Sequence, residues 1–124
     1  MAKSKILVVD DDPGILTMLQ LMLRLEGYDT LVCGEPHHVV DTIAQEKPDL
    51  VLLDALMPGF DGIQVLEAIN ARALSDKPPV ILVTGNANEA YLKTAMQAGA
   101  SGVLAKPFVK EDLLEQLEKF LGKS

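Results

Sequence analysis

Val51-Leu52-Leu53-Asp54-Ala55-Leu56-Met57-Pro58 joins a run of large apolar residues to one carboxylate, with a proline four positions further on. The apolar residues from Asp49 onward show no polar alternation, which is typical of a strand buried on both faces. Asp54 therefore stands where a buried strand leaves the core. A carboxylate in that position is unfavourable unless it is paired or binds a ligand. Taken alone, Asp54 is best explained as a carboxylate that simply reaches water. The residues at the other strand ends decide whether it has a functional role.

Length and composition predict a single domain, residues 1–124, in a soluble and cytoplasmic protein. A chain of 124 residues is long enough for one core and too short for two. The net charge of -7 argues against nucleic acid as a direct partner and suits a cation or a basic partner surface. Cys33 is the only cysteine, so no internal disulfide forms and a reducing compartment fits. We find no signal peptide and no apolar run long enough for a membrane span, so no membrane partner is expected.

Apolar runs and helical periodicities alternate along the chain and predict five strands and five helices. The strands are predicted at Lys5–Val9, Tyr28–Cys33, Asp49–Asp54, Val80–Val83 and Gly102–Ala105. The helices are predicted at Pro13–Glu26, Pro36–Lys47, Ile63–Ala73, Asn88–Ala98 and over a last apolar set from Leu113 to Leu121. Asp12 is a predicted N-cap, Gly27 and Gly99 are predicted helix stops, and Met57–Gly62 is predicted to be a loop. Strict alternation predicts a parallel sheet with helices on both faces.

Helix one has an unusually wide apolar surface. Its apolar residues cover about 220° of the helix, against the stripe of about 100° that a core requires. They are Ile15, Leu16, Met18, Leu19, Leu21, Met22, Leu23 and Leu25. Two interpretations stay open: a helix packed deeply between neighbours, or a partner surface along the edge that carries Leu16 or Leu21. The partner would be a kinase or a second copy of the chain, which would make a homodimer.

Polar side chains follow the ends of four predicted strands, and open parallel sheets bind ligands at those carboxyl ends. Asp10 and Asp11 follow strand one, Asp54 ends strand three, Thr84 follows strand four and Lys106 follows strand five. If strands one and three are neighbours, the three carboxylates crowd together, which is unfavourable without a cation. Oxygen ligands at a partly solvated edge suit Mg²⁺. A divalent ion, a carboxylate nucleophile, a hydroxyl and an ammonium group describe a phosphoryl-transfer site.

Four motifs along the chain, each weak alone, together resemble the receiver domains of response regulators in bacterial two-component systems, including the chemotaxis regulators. The motifs are Ile6–Asp11, Asp54–Gly62, Val83–Gly85 and Lys106–Phe108, so the resemblance covers essentially the whole chain. It implies an α/β, flavodoxin-like three-layer sandwich with a five-stranded parallel sheet and five helices. The strand order 2-1-3-4-5 is carried over from the family.

The resemblance also implies a phospho-acceptor and a metal site. Asp54 would be phosphorylated by a sensor histidine kinase or a histidine phosphotransfer protein. Asp10 and Asp11 would hold Mg²⁺ together with Asp54 and the backbone carbonyl of Leu56. The protein would then be no enzyme in its own right, but a phosphoprotein that assists its own phosphorylation and dephosphorylation.

Two further site residues and a readout surface follow from the same resemblance. Thr84 would contact the phosphoryl group, Lys106 would pair with it, and the Lys106-Pro107 peptide would be cis. Phosphorylation would shift the population toward an active form that an unknown output protein or domain recognises. The expected readout surface is helix four, strand five and helix five, and no output domain is found within these residues.

The sequence departs from the family pattern at three positions. Val103 stands on strand five where most receivers carry a Tyr or Phe that acts as a rotamer switch, and valine cannot swing a ring. Leu56 and Asn86 lie two residues after Asp54 and Thr84, at positions that tune loss of the phosphoryl group in the family. Because an apolar Leu56 cannot orient an attacking water, we expect a long-lived phospho-form.

Two other functions remain open from the sequence. The first is a pseudo-receiver, a scaffold that keeps the fold without phosphoryl chemistry. The second is a phosphatase of the haloacid dehalogenase type, because Asp10-Asp11-Asp12 contains Asp-x-Asp after a strand. No acidic pair follows the lysine strand to close such a site, and Asp54 would have no role in it.

Overall fold

Five strands and five helices alternate along the chain in the computed structural model, which describes residues 4–57, 59–72, 77–85 and 88–122, without the side chains of residues 56 and 57. The strands are β1 Lys5–Val9, β2 Asp29–Cys33, β3 Leu50–Asp54, β4 Val80–Thr84 and β5 Gly102–Ala105. The helices are α1 Pro13–Leu25, α2 Val39–Glu46, α3 Gly62–Ala71, α4 Glu89–Gln97 and α5 Lys110–Leu121. A short 3-10 turn, Pro36–His38, precedes α2.

The five strands form one parallel sheet in the order β2-β1-β3-β4-β5, which confirms the predicted order 2-1-3-4-5. The register places Val9 opposite Leu53, and Leu53 opposite Leu82. Thr84 lies opposite Ala105 at the far side of the sheet. Because the carboxyl ends of β1, β3, β4 and β5 are therefore level, the residues that follow them meet along one edge.

Alternate residues of the central strands pack into two separate apolar layers, because successive side chains of a strand point to opposite faces. Leu52 packs on one face among core residues of α1 and α5, including Leu23 and Leu117. Leu53 packs on the other face among core residues of α2, α3 and α4, including Ile43 and Leu66. This is the three-layer, flavodoxin-like sandwich that the sequence predicts.

Element ends differ little from the prediction. Asp12 caps α1 as predicted, and Gly27 has the left-handed φ of 92° that ends a helix. Tyr28 precedes β2 instead of opening it, because its backbone N–H donates to Leu23 O at 3.0 Å and closes the end of α1. Helix α3 ends at Ala71, and the predicted end of that helix at residue 73 lies outside the described residues.

The predicted loop Met57–Gly62 is wrong in part. Leu56–Met57 and Phe60–Asp61 form a short antiparallel pair, which turns at Gly59 with a φ of 78°. Gly62 then begins α3 and donates its backbone N–H to Ala55 O at 2.7 Å. A Cβ on Gly62 would lie 2.9 Å from Ala55 Cα, so only glycine lets α3 begin this close to β3.

The wide apolar surface of α1 is divided between the core and solvent. Leu19 and Leu23 are buried, whereas Met18 is 51% and Leu21 is 60% exposed. Leu16 is half-buried against the core, so the apolar edge left open is the one that carries Leu21. No helix within the described residues is long and apolar enough to cross a membrane.

Candidate functional site

Three carboxylates meet at the carboxyl ends of β1 and β3, as the sequence predicts. One carboxylate oxygen from each of Asp10, Asp11 and Asp54 lies within 4.8 Å of the others. Asp10 is 4% and Asp54 is 7% exposed, while Asp11 faces solvent. Like charges this close and this poorly hydrated repel one another, so the cluster is suited to a bound cation.

Asp10 is fixed in place by the backbone around it. Its Oδ1 accepts a hydrogen bond from the Asp12 N–H at 2.9 Å, and its own N–H donates to Cys33 O at 3.2 Å. Burial raises the pKa of the Asp10 carboxyl, and the Asp12 hydrogen bond offsets part of that effect. The negative charge of Asp54 raises this pKa further. A hard divalent cation that prefers oxygen ligands would offset the repulsion between these carboxylates, so the three side chains fit such an ion.

Asp12 does not belong to the cluster, although it is the third aspartate in the run. Its Oδ1 accepts from Gly14 N at 2.8 Å and from Ile15 N at 3.4 Å, which caps α1. An Asp-x-Asp phosphatase site would need Asp10 and Asp12 to face the same ligand. Because Asp12 is occupied at the helix N-terminus, the geometry does not favour that function.

A lysine and a threonine complete the cluster from β4 and β5. Lys106 Nζ lies 3.1 Å from Asp54 Oδ1, and the Lys106 N–H donates to Thr84 O at 2.8 Å. Thr84 is buried at 4% exposure, and the Lys106-Pro107 peptide is cis, as predicted. Leu56 lies two residues beyond Asp54 with its backbone in the short antiparallel pair. Asn86 and the side chain of Leu56 lie outside what the structure describes, so the lifetime of a phospho-form stays a prediction.

Two cavities share Asp54 and Lys106 in their walls. The first, which we call the α1 groove, has a volume of about 450 Å³ and runs between α1 and the segment after β5. Its apolar walls include Ile15, Met18, Met22, Pro107 and Phe108. The second, which we call the α4 cavity, has a volume of about 430 Å³. It is lined by Asp54, Ala55, Asp61, Thr84, Gly85, Tyr91 and Lys106.

Asp61 and Tyr91 are site-lining residues that the sequence analysis did not single out. Asp61 carries one recognisable signal, because an aspartate followed by glycine before an apolar period is a typical helix N-cap. It does cap α3, accepting from Ile63 N at 3.0 Å. Tyr91 carries no such signal, since a lone aromatic residue in an amphipathic helix normally belongs to the core.

Comparison with known proteins identifies the family. The family model described as "Response regulator receiver domain" matches residues 6–118. The DNA-binding response regulator MtrA of Mycolicibacterium smegmatis is 33% identical over 98% of this chain, and the chain spans 52% of that relative. The chain thus spans about half the length of MtrA, whose name describes DNA binding. The sporulation initiation phosphotransferase F of Bacillus subtilis is 33% identical over 98% of this chain and 96% of its own length.

A solved structure supports the same relationship. It is the receiver domain of the sensor histidine kinase PA1611 from Pseudomonas aeruginosa, crystallised with a magnesium ion coordinated in its active site cleft. The two chains are 30% identical, and their alignment covers 98% of this chain and 99% of that one with a TM-score of 0.86. The family match, the relatives and this fold agree, and the chain belongs to the family of response regulator receiver domains, the phospho-accepting modules of two-component signalling.

Proposed function

We propose that Asp54 accepts a phosphoryl group from a phosphohistidine of a sensor kinase or a histidine phosphotransfer protein. The observation that carries this proposal is the Asp54 carboxylate, buried at the end of a central strand and 3.1 Å from Lys106 Nζ. In the reaction the donor N–P bond breaks and a bond between an Asp54 carboxylate oxygen and phosphorus forms. The modified protein then binds an output protein or domain differently.

Lys106 and Thr84 are proposed to stabilise the group in transfer. The transferring phosphoryl group spreads its negative charge over its outer oxygens, which positioned cations and donors stabilise. The Lys106 ammonium lies beside the acceptor, and the buried Thr84 side chain lines the same cavity. By holding Lys106 and Thr84 beside the acceptor, the chain assists its own phosphorylation. The same groups assist dephosphorylation, in which water attacks the phosphorus atom and the Asp54 carboxylate is released.

The metal is proposed to be Mg²⁺, held by Asp10, Asp11, Asp54 and the backbone carbonyl of Leu56. The close spacing of the three carboxylates supports this assignment. Mg²⁺ is usually bound through one or two carboxylates and keeps several waters, which suits an edge where Asp11 reaches solvent. When bound, the ion would neutralise charge on the carboxylates and on the incoming phosphoryl group.

The α1 groove is proposed as the surface on which the histidine donor docks. The donor must bring its phosphorus atom to Asp54, and this groove runs from Asp54 along α1. Its wall is apolar, and Met18 is 51% exposed there, with Leu21 60% exposed on the neighbouring edge. A donor that covers these side chains gains apolar burial at the same time as it reaches the acceptor.

A receiver of this kind works in the cytoplasm, a location that the lone Cys33 supports.

The test is the mass of the intact protein after incubation with acetyl phosphate and Mg²⁺. We expect one added phosphoryl group on the parent chain and none on Asp54→Asn. Asp41→Asn removes an exposed carboxylate that pairs with Arg72 on the surface and should still be phosphorylated. An adduct on Asp54→Asn would move the acceptor to another residue, and no adduct on the parent would favour the scaffold function instead.

A further inference from the structure

The α4 cavity holds a hydrogen-bond donor that the proposed transfer reaction does not use. Asp54, Thr84 and Lys106 lie on one side of this cavity, and Asp61 and Tyr91 also line it. Tyr91 belongs to the first turn of α4, where its backbone N–H donates to Asn88 Oδ1 at 2.8 Å. Among the lining residues that the structure describes, Tyr91 is the one that α4 contributes.

Tyr91 connects α4 to the start of α3. Its phenol lines the same cavity as the Asp61 carboxylate, which acts on it as a charge and as an acceptor, and Asp61 in turn caps α3 by accepting from Ile63 N at 3.0 Å. The Tyr91 ring is half-buried against the same apolar layer that contains Val65 and Ala95. Because Tyr91 packs against this layer and also lines the cavity, a phenol that changes its polar partner would act on the first turn of α4.

The surroundings keep Tyr91 a donor and place it within the electrostatic influence of the acceptor. Burial raises the pKa of the Tyr91 phenol, and the charge and hydrogen bond of Asp61 raise it further. The charge of Asp54 acts in the same direction. A phosphoryl group on Asp54 would carry about 1.5 to 2 negative charges and three strong acceptor oxygens beside the same cavity, in place of the single charge of the carboxylate.

We propose that Tyr91 reports the state of Asp54 to α4 by turning its hydroxyl from the Asp61 carboxylate toward a phosphoryl oxygen across the cavity that all three residues line. This inference rests on the proposed function, since it requires Asp54 to be the acceptor. The phosphoryl group is the stronger acceptor of the two, because it carries more charge than the exposed Asp61 carboxylate. Val103 on β5 packs against the same apolar layer but has no group that could make this exchange.

The experiment uses the two tyrosines of the chain, Tyr28 and Tyr91, as separate probes. The full chain is labelled with 3-fluorotyrosine, and Tyr28→Phe assigns the two fluorine resonances. On phosphorylation by acetyl phosphate and Mg²⁺, we expect the Tyr91 resonance to move and the Tyr28 resonance to stay. Tyr28 serves as the internal control because it lies in the other apolar layer, with α1 and α5.

Tyr91→Phe is the matched variant, because it keeps the ring and removes only the hydroxyl. It should still take up one phosphoryl group, and the amide shift changes that phosphorylation causes in α4 should be largely lost. An adduct on the parent with an unmoved Tyr91 resonance would overturn this inference alone, as would undiminished α4 shift changes in Tyr91→Phe. No adduct on the parent would instead overturn the proposed function and this inference with it.

Discussion

The effect of the carboxylate cluster on folding stability can be measured at Asp10. Its carboxylate is 4% exposed and faces the charge of Asp54. Burial, a partly compensating hydrogen bond from Asp12 and the Asp54 charge together leave the pKa of Asp10 raised. The folded protein therefore binds the Asp10 proton more tightly than the unfolded chain does, and the ionised site is unfavourable until a cation arrives.

Asp10→Asn should make the metal-free protein more stable at neutral pH. Because the folded pKa lies above the ordinary value of 3.8, the favourable contribution of Asp10 is complete below that value. It is lost as the pH rises through the folded pKa. Asparagine keeps the acceptor for Asp12 N–H without the charge, so the gain should be present at neutral pH and vanish in acid.

Urea denaturation in a chelator, repeated across the acid range, measures this difference. Asp29→Asn, at an exposed position on β2, is the control and should follow the parent at every pH. A gain for Asp10→Asn that did not depend on pH would show that relief of an ionised carboxylate is not its cause.

Helix α1 serves the fold and the site with different faces. Leu19 and Leu23 bind it to the sheet, while Met18, Leu21 and the 77% exposed Leu25 form a solvent-facing apolar stripe. Its N-cap, Asp12, also donates to Asp10 and so ties the start of the helix to the carboxylate cluster. These local hydrogen bonds fix the start of the helix next to the carboxylate cluster. The exposed apolar stripe of α1 therefore has a defined position beside the site.

Met18→Gln should slow phosphotransfer from a protein donor and leave labelling by acetyl phosphate unchanged. A half-exposed methionine that becomes covered contributes about 1 kcal/mol of apolar burial, so transfer at low donor concentration should fall about fivefold to tenfold. Met96→Gln is the matched control, because Met96 on α4 is 50% exposed and lies away from the groove. Transfer is timed from a phosphorylated histidine phosphotransfer domain that serves the parent chain. Equal rates for both variants and the parent would exclude the α1 groove as the docking surface.

At the scale of the whole molecule, stability and the site are linked through the level ends of the parallel strands. The register that brings Asp10, Asp54, Thr84 and Lys106 together is the same register that aligns the two apolar layers. A ligand that binds between these strand ends binds the folded chain only. It therefore stabilises the whole domain by mass action.

Mg²⁺ should raise the thermal midpoint of the parent chain. At a concentration one hundred times its Kd, a ligand specific for the folded state adds about 2.7 kcal/mol. The double variant Asp10→Asn with Asp11→Asn removes two of the three side-chain ligands and should show almost none of this gain. Scanning calorimetry with NaCl of equal ionic strength separates binding from charge screening. A shift that NaCl reproduces would argue against a metal site.

The sequence predicts the parallel sheet and the site residues at its strand ends, whereas the strand order came from the family resemblance. Parallel strands of known order bring their carboxyl ends together, whatever the helices between them do. The contact between Asp61 and Tyr91 could not be predicted in that way. It depends on how α3 and α4 lie beside each other and on where two side chains point, which periodicity does not encode. The same limit applies to α1, where the pattern gave the width of the apolar surface but not which edge stays open.

The two cavities that meet at Asp54 lie in different layers of the sandwich, one beside α1 and the other beside α4. If the donor docks in the α1 groove and α4 carries the readout, as proposed above, input and output use different surfaces of one small protein. On that proposal a kinase bound at the α1 groove would not have to leave before a target binds at α4, and a complex of three components could form. Substitutions that match the chain to a new donor would then fall beside α1, and those that match it to a new target would fall beside α4. The choice of donor or of target could thus change by substitution while phosphoryl transfer at Asp54 stays the same.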